Sequence, residues 1–84
     1  MKAKWCEVQI LKNGRSDWPY ENAVVTGKVS GFVGGHTSDF RTDDRGRAII
    51  EWYGGDHLER IYVSGKTFEG PFEEGRFYRL SYWV

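Results

Sequence analysis

Glycine and proline interrupt this chain so often that helices of ordinary length do not fit between them. The longest uninterrupted stretch is the first 13 residues, and the other long stretches run from seven to ten residues. These are strand lengths, and glycine and proline both disfavour helix interiors. Ala and Leu, which favour helices, occur only three times each, against 11 glycines. The interruptions therefore predict an all-β protein.

Between the interruptions, apolar and polar residues alternate with the period of a half-buried strand. Trp5 to Lys12 places Cys6, Val8 and Ile10 on one face. The same reasoning predicts six or seven strands, at 5–12, 23–32, 37–42, 47–53, 58–64 and 76–84 among them. Turns are predicted at Asn13-Gly14, Gly54-Gly55, Gly65-Lys66 and Glu69 to Phe72, and a β-hairpin across Asp43 to Gly46.

The length of 84 residues predicts one domain, 1–84, with a single small core. Six or seven short strands are typical of an antiparallel Greek-key β-sandwich of transthyretin-like or Ig-like type. A small β-barrel is the alternative, because it is built from strands of the same length with similar turns.

Charge and composition exclude several classes of partner. Twelve Lys and Arg balance twelve Asp and Glu, whereas nucleic-acid modules usually carry a basic excess. No apolar run approaches the roughly 18 residues of a membrane span, and the first residues lack the apolar stretch of a secretory signal. A single cysteine, Cys6, forms no internal disulfide. We therefore expect a soluble cytoplasmic protein that binds neither nucleic acid nor membrane.

Three short motifs occur in order along the middle of the chain. They are Pro19-x-x-x-Ala23-x-Val25, then Thr42-Asp43-x-x-Gly46-x-Ala48-x-Ile50, then Ile61-x-Val63 before Gly65. From Gln9 to Gly65 this order resembles the transthyretin-like β-sandwich domains of the carboxypeptidase regulatory-like superfamily. The glycine-rich connection from Ser30 to Ser38 and the aromatic end of the chain depart from that pattern. The resemblance implies a seven-stranded sandwich that serves as a noncatalytic accessory or interaction module, but such folds host many functions.

Histidine and aspartate residues in the loops suggest two alternative metal sites. His36 and His57 each follow a Gly-Gly pair, and converging loops could join them with Asp39 or Asp56. Solvated loop histidines are the competing interpretation. A second set, Asp39, Asp43 and Asp44, could supply oxygen ligands to Ca²⁺, although aspartate at a tight turn already accepts backbone N–H bonds.

The chain shows no pattern of a nucleophile with a base, and Cys6 falls on an inward strand face, where cysteine is usually inert. We therefore predict no catalytic residue, no cofactor and no enzymatic activity. A metal-dependent enzyme or metal-binding protein using the loop His and Asp residues stays as an alternative.

Aromatic residues make up 17% of the chain, more than a core of this size absorbs. Exposed Trp and Tyr suit protein interfaces, and they also stack on sugars. In the alternative, purely structural interpretation, they pack in the core and in cross-strand pairs. The leading hypothesis is a noncatalytic module that binds another protein or a second copy of itself through an exposed aromatic patch or the edge of the last strand, 76–84. The alternative ligand is a carbohydrate. The candidate contact residues are Trp18, Tyr20, Trp52, Tyr53, Tyr82 and Trp83.

Overall fold

A computed structural model describes residues 2–31 and 35–84. The described residues form β1 (Lys4–Lys12), β2 (Val24–Val29), β3 (Phe40–Arg41), β4 (Arg47–Trp52), β5 (His57–Val63), β6 (Lys66–Glu73) and β7 (Phe77–Tyr82). One sheet has the order β4-β1-β7 and the other β3-β2-β5-β6. The two sheets pack together without closing, so the predicted all-β sandwich is confirmed and the barrel alternative is wrong. The predicted strand end at Phe32, and Val33 and Gly34 of the predicted connection, lie outside the described residues.

Both sheets contribute to one hydrophobic core, because alternate residues of each strand point inward. On β1 Cys6, Val8 and Ile10 are buried, as the alternation predicts, and Leu11 near the end of the strand is buried as well. The side chains that join them from the other strands are Val25, Val29, Ala48, Ile50, Trp52, Leu58, Ile61, Val63 and Phe72. The described part of the chain contains no helix able to span a membrane.

One pair of strands departs from the predicted antiparallel arrangement. β1 and β7 run parallel, in a register from Glu7 opposite Phe77 to Lys12 opposite Tyr82. No hairpin fixes their relative direction, since all the other strands lie between them in the chain. Parallel neighbours require such a long crossover connection.

The turn predicted at Asp43 to Gly46 forms, but the predicted hairpin is wrong. One carboxylate oxygen of Asp43 accepts the backbone N–H of both Arg45 and Arg47, at 2.9 Å each. The flanking strands nevertheless separate, because β3 pairs with β2 and β4 pairs with β1. Before the turn, the buried Thr42 hydroxyl accepts the N–H of Ala23 at 2.8 Å, which holds that segment beside β2.

Glu69 to Phe72, predicted as a turn, lies instead inside β6. Phe68 and Phe72 fall on the same face of this strand, and Phe72 is buried in the core. Proline is tolerated here because β6 is an edge strand and its next neighbour in the sheet is β5 alone.

Candidate functional site

The six predicted contact residues fall into two groups at opposite ends of the sandwich. Tyr20 and Trp18 lie beside the end of β1, with Tyr82 and Trp83 next to them. Trp52 pairs with Lys4 at the start of β1, and Tyr53 follows it. The nine residues of β1 span about 26 Å at 3.3 Å per residue. The two groups therefore form two separate surfaces.

At the end of β1, two lysines alternate with three aromatic rings. The Lys12 Nζ lies 5.3 Å from the centre of the Trp18 ring and 4.7 Å from that of Tyr20. Tyr20 meets Tyr82 edge to face at 4.8 Å between ring centres. The Lys66 Nζ lies 4.4 Å from the centre of the Tyr82 ring. We call these five residues the lysine–aromatic cluster.

Backbone hydrogen bonds hold the connection after β1 against that strand. The N–H of Lys12 donates to the carbonyl of Trp18, and the N–H of Tyr20 donates to the carbonyl of Ile10, both at 2.9 Å. The hydroxyls of Tyr20 and Tyr82 both donate to Ser64, at 3.1 and 3.4 Å. Both tyrosines are half-buried against the core. Their bonds to Ser64 link the connection after β1 and the end of β7 to the turn between β5 and β6.

The other group is divided between core and surface. Trp52 is only 3% exposed, and its Nε1 donates to the carbonyl of Gly55 at 3.0 Å. The expected exposure of Trp52 is therefore not found, because its position on the inner face of β4 buries it, but Trp52 still lines a cavity together with Tyr53. Tyr53 is 60% exposed, as predicted for a contact residue. It borders a cavity of about 620 Å³ that is also lined by Ser30, His36, Ser38, Phe40 and Glu51.

The last strand carries a free edge. The N–H of Glu7 donates to the carbonyl of Arg76, and that of Asn13 donates to the carbonyl of Tyr82. Backbone groups alternate between the two sides of a strand, so the even-numbered residues of β7 face β1. The backbone groups of Phe77, Arg79 and Ser81 face the opposite way. Within the described residues β7 pairs with β1 alone. We call this row of outward backbone groups the β7 edge.

Three large apolar side chains lie on the outer face of the three-stranded sheet, one on each strand, and Phe77 is the one on β7. Ile49 and Phe77 flank Glu7 from the two neighbouring strands, and Trp5 precedes Glu7 on the same face of β1. Ile49 is 54% exposed, Trp5 44% and Phe77 43%. We call Trp5, Ile49 and Phe77 the outer apolar patch.

Two arginines border this patch. The Arg47 guanidinium lies 5.2 Å from the centre of the Phe77 ring and 3.5 Å from the Glu7 carboxylate. Arg79 lies 5.8 Å from the same ring. The Arg47 Nε is buried without a hydrogen-bond partner among the described residues. The patch therefore combines apolar area with cationic groups at its margin.

Sequence reasoning missed the outer apolar patch because it depends on strand register. Glu7 stands between Ile49 and Phe77 only when β4 and β7 both pair with β1. One signal was present: Ile49 alternates with Arg47 and Glu51 on the polar face of its strand. An isoleucine among charged residues indicated an exposed apolar side chain.

The structure does not bring the predicted metal ligands together. His36 packs on Tyr62 with ring centres 5.6 Å apart, and His57 pairs with Glu73 in the sheet. Asp39 accepts a hydrogen bond of 2.7 Å from the Thr26 hydroxyl. Across residues 2–31 and 35–84, no three His, Cys, Asp or Glu residues form a group suited to a metal ion.

The remaining reactive groups have structural partners or are buried. Two backbone N–H donors, from Arg47 and Arg45, hold the pKa of Asp43 below its usual value. Burial raises the pKa of the Cys6 thiol to about 11, so the thiol stays protonated and is a poor nucleophile at neutral pH.

Comparisons with protein-family models, with curated proteins and with solved structures find no match. The resemblance to transthyretin-like domains of the carboxypeptidase regulatory-like superfamily is therefore unsupported, beyond the sandwich architecture itself.

Proposed function

We propose that this chain is a noncatalytic protein-interaction module that binds an extended segment of a protein along β7. The contact surface consists of the β7 edge and the outer apolar patch beside it. The observation that carries the proposal is the row of backbone groups at Phe77, Arg79 and Ser81 that no described residue pairs, on the strand that also exposes the Phe77 ring.

The β7 edge supplies the affinity of such a contact. An exposed sheet edge pairs with an added strand through main-chain hydrogen bonds. Proteins that avoid this pairing place proline, lysine or a bulge on the edge. From Phe77 to Ser81 the strand has no proline, no lysine and no bulge, and Arg79 is its one charged residue.

The outer apolar patch supplies selectivity. Side chains of an added strand alternate between the two sheet faces, so every second one lies beside Phe77 and above the outer face. Clustered apolar area bordered by polar groups marks interaction surfaces more often than scattered apolar residues do. Arg79 at the margin favours a segment that places no second cation opposite it.

A displayed library of random peptides tests this proposal. Peptides selected on the chain are synthesised, and their affinities are measured for the wild type and for Ile49→Ser and Phe77→Ser. We expect Phe77→Ser to weaken binding by about tenfold or more, as for an apolar residue at the centre of an interface. Ile49→Ser should weaken it less, because β4 lies on the far side of β1 from β7. Trp18→Ser is the control, since Trp18 is similarly exposed at 38% but belongs to the lysine–aromatic cluster. Peptides whose affinity falls in Trp18→Ser but not in Phe77→Ser would contradict the proposal.

A second candidate function is binding of a carbohydrate or another small ligand in the cavity beside Tyr53. Its volume of about 620 Å³ lies within the usual range for ligand pockets. The exposed Tyr53 ring offers a stacking face, and His36, Ser38 and Glu51 offer hydrogen-bonding groups for sugar hydroxyls. A titration with a panel of oligosaccharides, followed by amide chemical shifts, should perturb Tyr53 and its neighbours. Loss of that response in Tyr53→Ser is expected, and shifts centred on Trp18 would contradict this candidate.

A further inference from the structure

We propose that the strand bound by the β7 edge is the β7 of a second copy of this chain. The two strands run antiparallel about a twofold axis at Leu80 and join two three-stranded sheets into one of six strands. The inference rests on the proposed function and identifies its partner. It follows from the direction of the backbone groups, the cross-strand pairs and the charges on β6.

The outward residues of β7 set the hydrogen bonds of such a dimer. With the axis at Leu80, Arg79 of each copy lies opposite Ser81 of the other. Both residues direct their N–H and C=O groups away from β1, so each pair exchanges two backbone hydrogen bonds. The next pair outward places Phe77 opposite Trp83 of the second copy. The Trp83 carbonyl already accepts the Lys66 amine, so this pair contributes mainly through its rings.

The alternative registers match less well. An axis at Arg79 sets Arg79 opposite Arg79 of the second copy, and like charges directly opposite are destabilising. An axis at Ser81 sets Ser81 opposite itself and leaves Phe77 outside the paired segment 79–83. Only the axis at Leu80 pairs Phe77 with Trp83 of the second copy and keeps Arg79 away from Arg79 of that copy.

Charges at the two ends of β6, in the four-stranded sheet, favour the same axis. Lys66, at the start of β6, lies over the ring of Tyr82 near one end of β7. Glu73, at the end of β6, donates its backbone N–H to the hydroxyl of Tyr78 near the other end, at 2.7 Å. The twofold axis exchanges these ends. The Glu73 carboxylate is already paired with Arg76 of its own copy, at 3.5 Å. The axis therefore brings Lys66 of one copy towards Glu74 of the other, and the symmetry forms this complementary contact twice.

The other sheet edges are less suited to pairing. β6 carries Pro71, and β3 has only two residues. On β4, the backbone groups of Arg47 are already bound by Asp43. Among the described edge strands, β7 has the longest run without a proline or an outward backbone group that is already bound. A single strand pair of this length predicts a weak, reversible dimer.

Sedimentation equilibrium of the full chain, from about 10 µM to about 1 mM, measures this association. For the wild type we expect an average mass that rises with concentration from that of one copy towards that of two. Ser81→Asp sets a carboxylate opposite Arg79 of the second copy in both symmetric pairs, and it should tighten the dimer about fivefold. Ser81→Arg sets like charges opposite each other and should weaken it to a similar degree.

Matched variants and the peptide experiment separate the outcomes. Ser16→Asp introduces the same charge at an exposed position in the connection after β1 and should leave the dimer constant unchanged. Equal effects of Ser16→Asp and Ser81→Asp would overturn pairing through β7. Weakening by Ser81→Asp would overturn the proposed register, because two carboxylates meet only when the axis lies at Ser81 and sets this residue opposite Ser81 of the second copy. If both the wild type and Ser81→Asp stay monomeric at every concentration, the second copy is not the partner. The proposed function fails only if the selected peptides also bind away from β7.

Discussion

The hydroxyl of Tyr20 donates a hydrogen bond of 3.1 Å to the hydroxyl of Ser64, 44 residues further along the chain. Ser64 stands in the turn between β5 and β6 with a positive φ of 45°, and its carbonyl accepts the hydroxyl of Tyr82. Three segments distant in sequence therefore meet at one serine. The edge-to-face contact of the two tyrosine rings, at 4.8 Å, adds apolar contact to these polar bonds.

Substitutions of Tyr20 separate the ring from the hydroxyl. Tyr20→Phe keeps the ring and should cost about 0.5 kcal/mol of unfolding free energy, the low end for a hydrogen bond, because this one is exposed. Tyr20→Ala also removes the packing on Tyr82 and should cost about 2 kcal/mol. Urea denaturation measures the unfolding free energy of both variants. Tyr53→Phe and Tyr53→Ala are the controls at an exposed tyrosine and should each stay within about 0.5 kcal/mol of the wild type. An equal loss for the two Tyr20 variants would show that the ring pair contributes nothing.

Gly27 is required by a close approach between the neighbouring strands β2 and β5. A Cβ at this position would lie 2.8 Å from Cδ1 of Leu58, which is fully buried. Gly27→Ala should therefore lower the unfolding free energy by about 1–3 kcal/mol through overpacking. Gly35→Ala is the control, since its added methyl meets no atom within 4 Å among residues 2–31 and 35–84. Leu58→Val combined with Gly27→Ala should cost less than the sum of the two single changes, and strict additivity would contradict the clash.

The sequence alone was sufficient for the sandwich and for most strands, because alternation such as that of Cys6, Val8 and Ile10 depends only on local spacing. Asp43 shows where this reasoning ends. Its carboxylate determines a turn, but whether the flanking strands then pair with each other depends on Thr42 and its bond to Ala23, a contact distant in sequence. Local turn chemistry therefore located the turn and gave the wrong connection.

The candidate site was predictable to a smaller extent, because exposure depends on which strands become neighbours. Trp52 and Tyr53 are adjacent and aromatic, yet the first lies in the core and the second at the surface. Strand alternation already placed Trp52 inward, with Ile50. Phe77 gave no comparable signal, since its exposure beside Glu7 follows from a parallel pairing that no local motif announces.

The acid sensitivity of the chain should depend partly on Asp43. The backbone N–H groups of Arg47 and Arg45 stabilise the carboxylate and lower its pKa in the folded state. A group of this kind adds stability above its unfolded pKa of about 3.9, and this stability is lost as the pH falls through the folded value. Asp43→Asn keeps a carbonyl acceptor but loses the charge, so its unfolding free energy should fall less steeply than that of the wild type below about pH 4. Urea denaturation between about pH 2 and 7 measures the two slopes.

The neighbouring Asp44 provides the control for that experiment. Asp44→Asn removes the same charge one residue away, from a side chain outside the two bonds made by Asp43. The slope of unfolding free energy against pH should flatten more in Asp43→Asn than in Asp44→Asn. Equal flattening would assign the effect to net charge and contradict a role for the turn hydrogen bonds.

Cys6 should react with thiol reagents only when the sandwich opens. It is fully buried on the inner face of β1, and burial raises the pKa of its thiol to about 11. At pH 8 the thiolate fraction is then on the order of 100-fold below that of an ordinary cysteine with a pKa of about 8.5. Labelling with a disulfide reagent should be slower by at least that factor than in the urea-unfolded chain, and it should accelerate as urea approaches the unfolding midpoint. Cys6→Ala combined with Ser16→Cys moves the thiol to an exposed position and should label rapidly without urea. If native Cys6 reacted as fast as this relocated thiol, the inner face of β1 would have to be open to solvent, and the packing of the two sheets would be wrong.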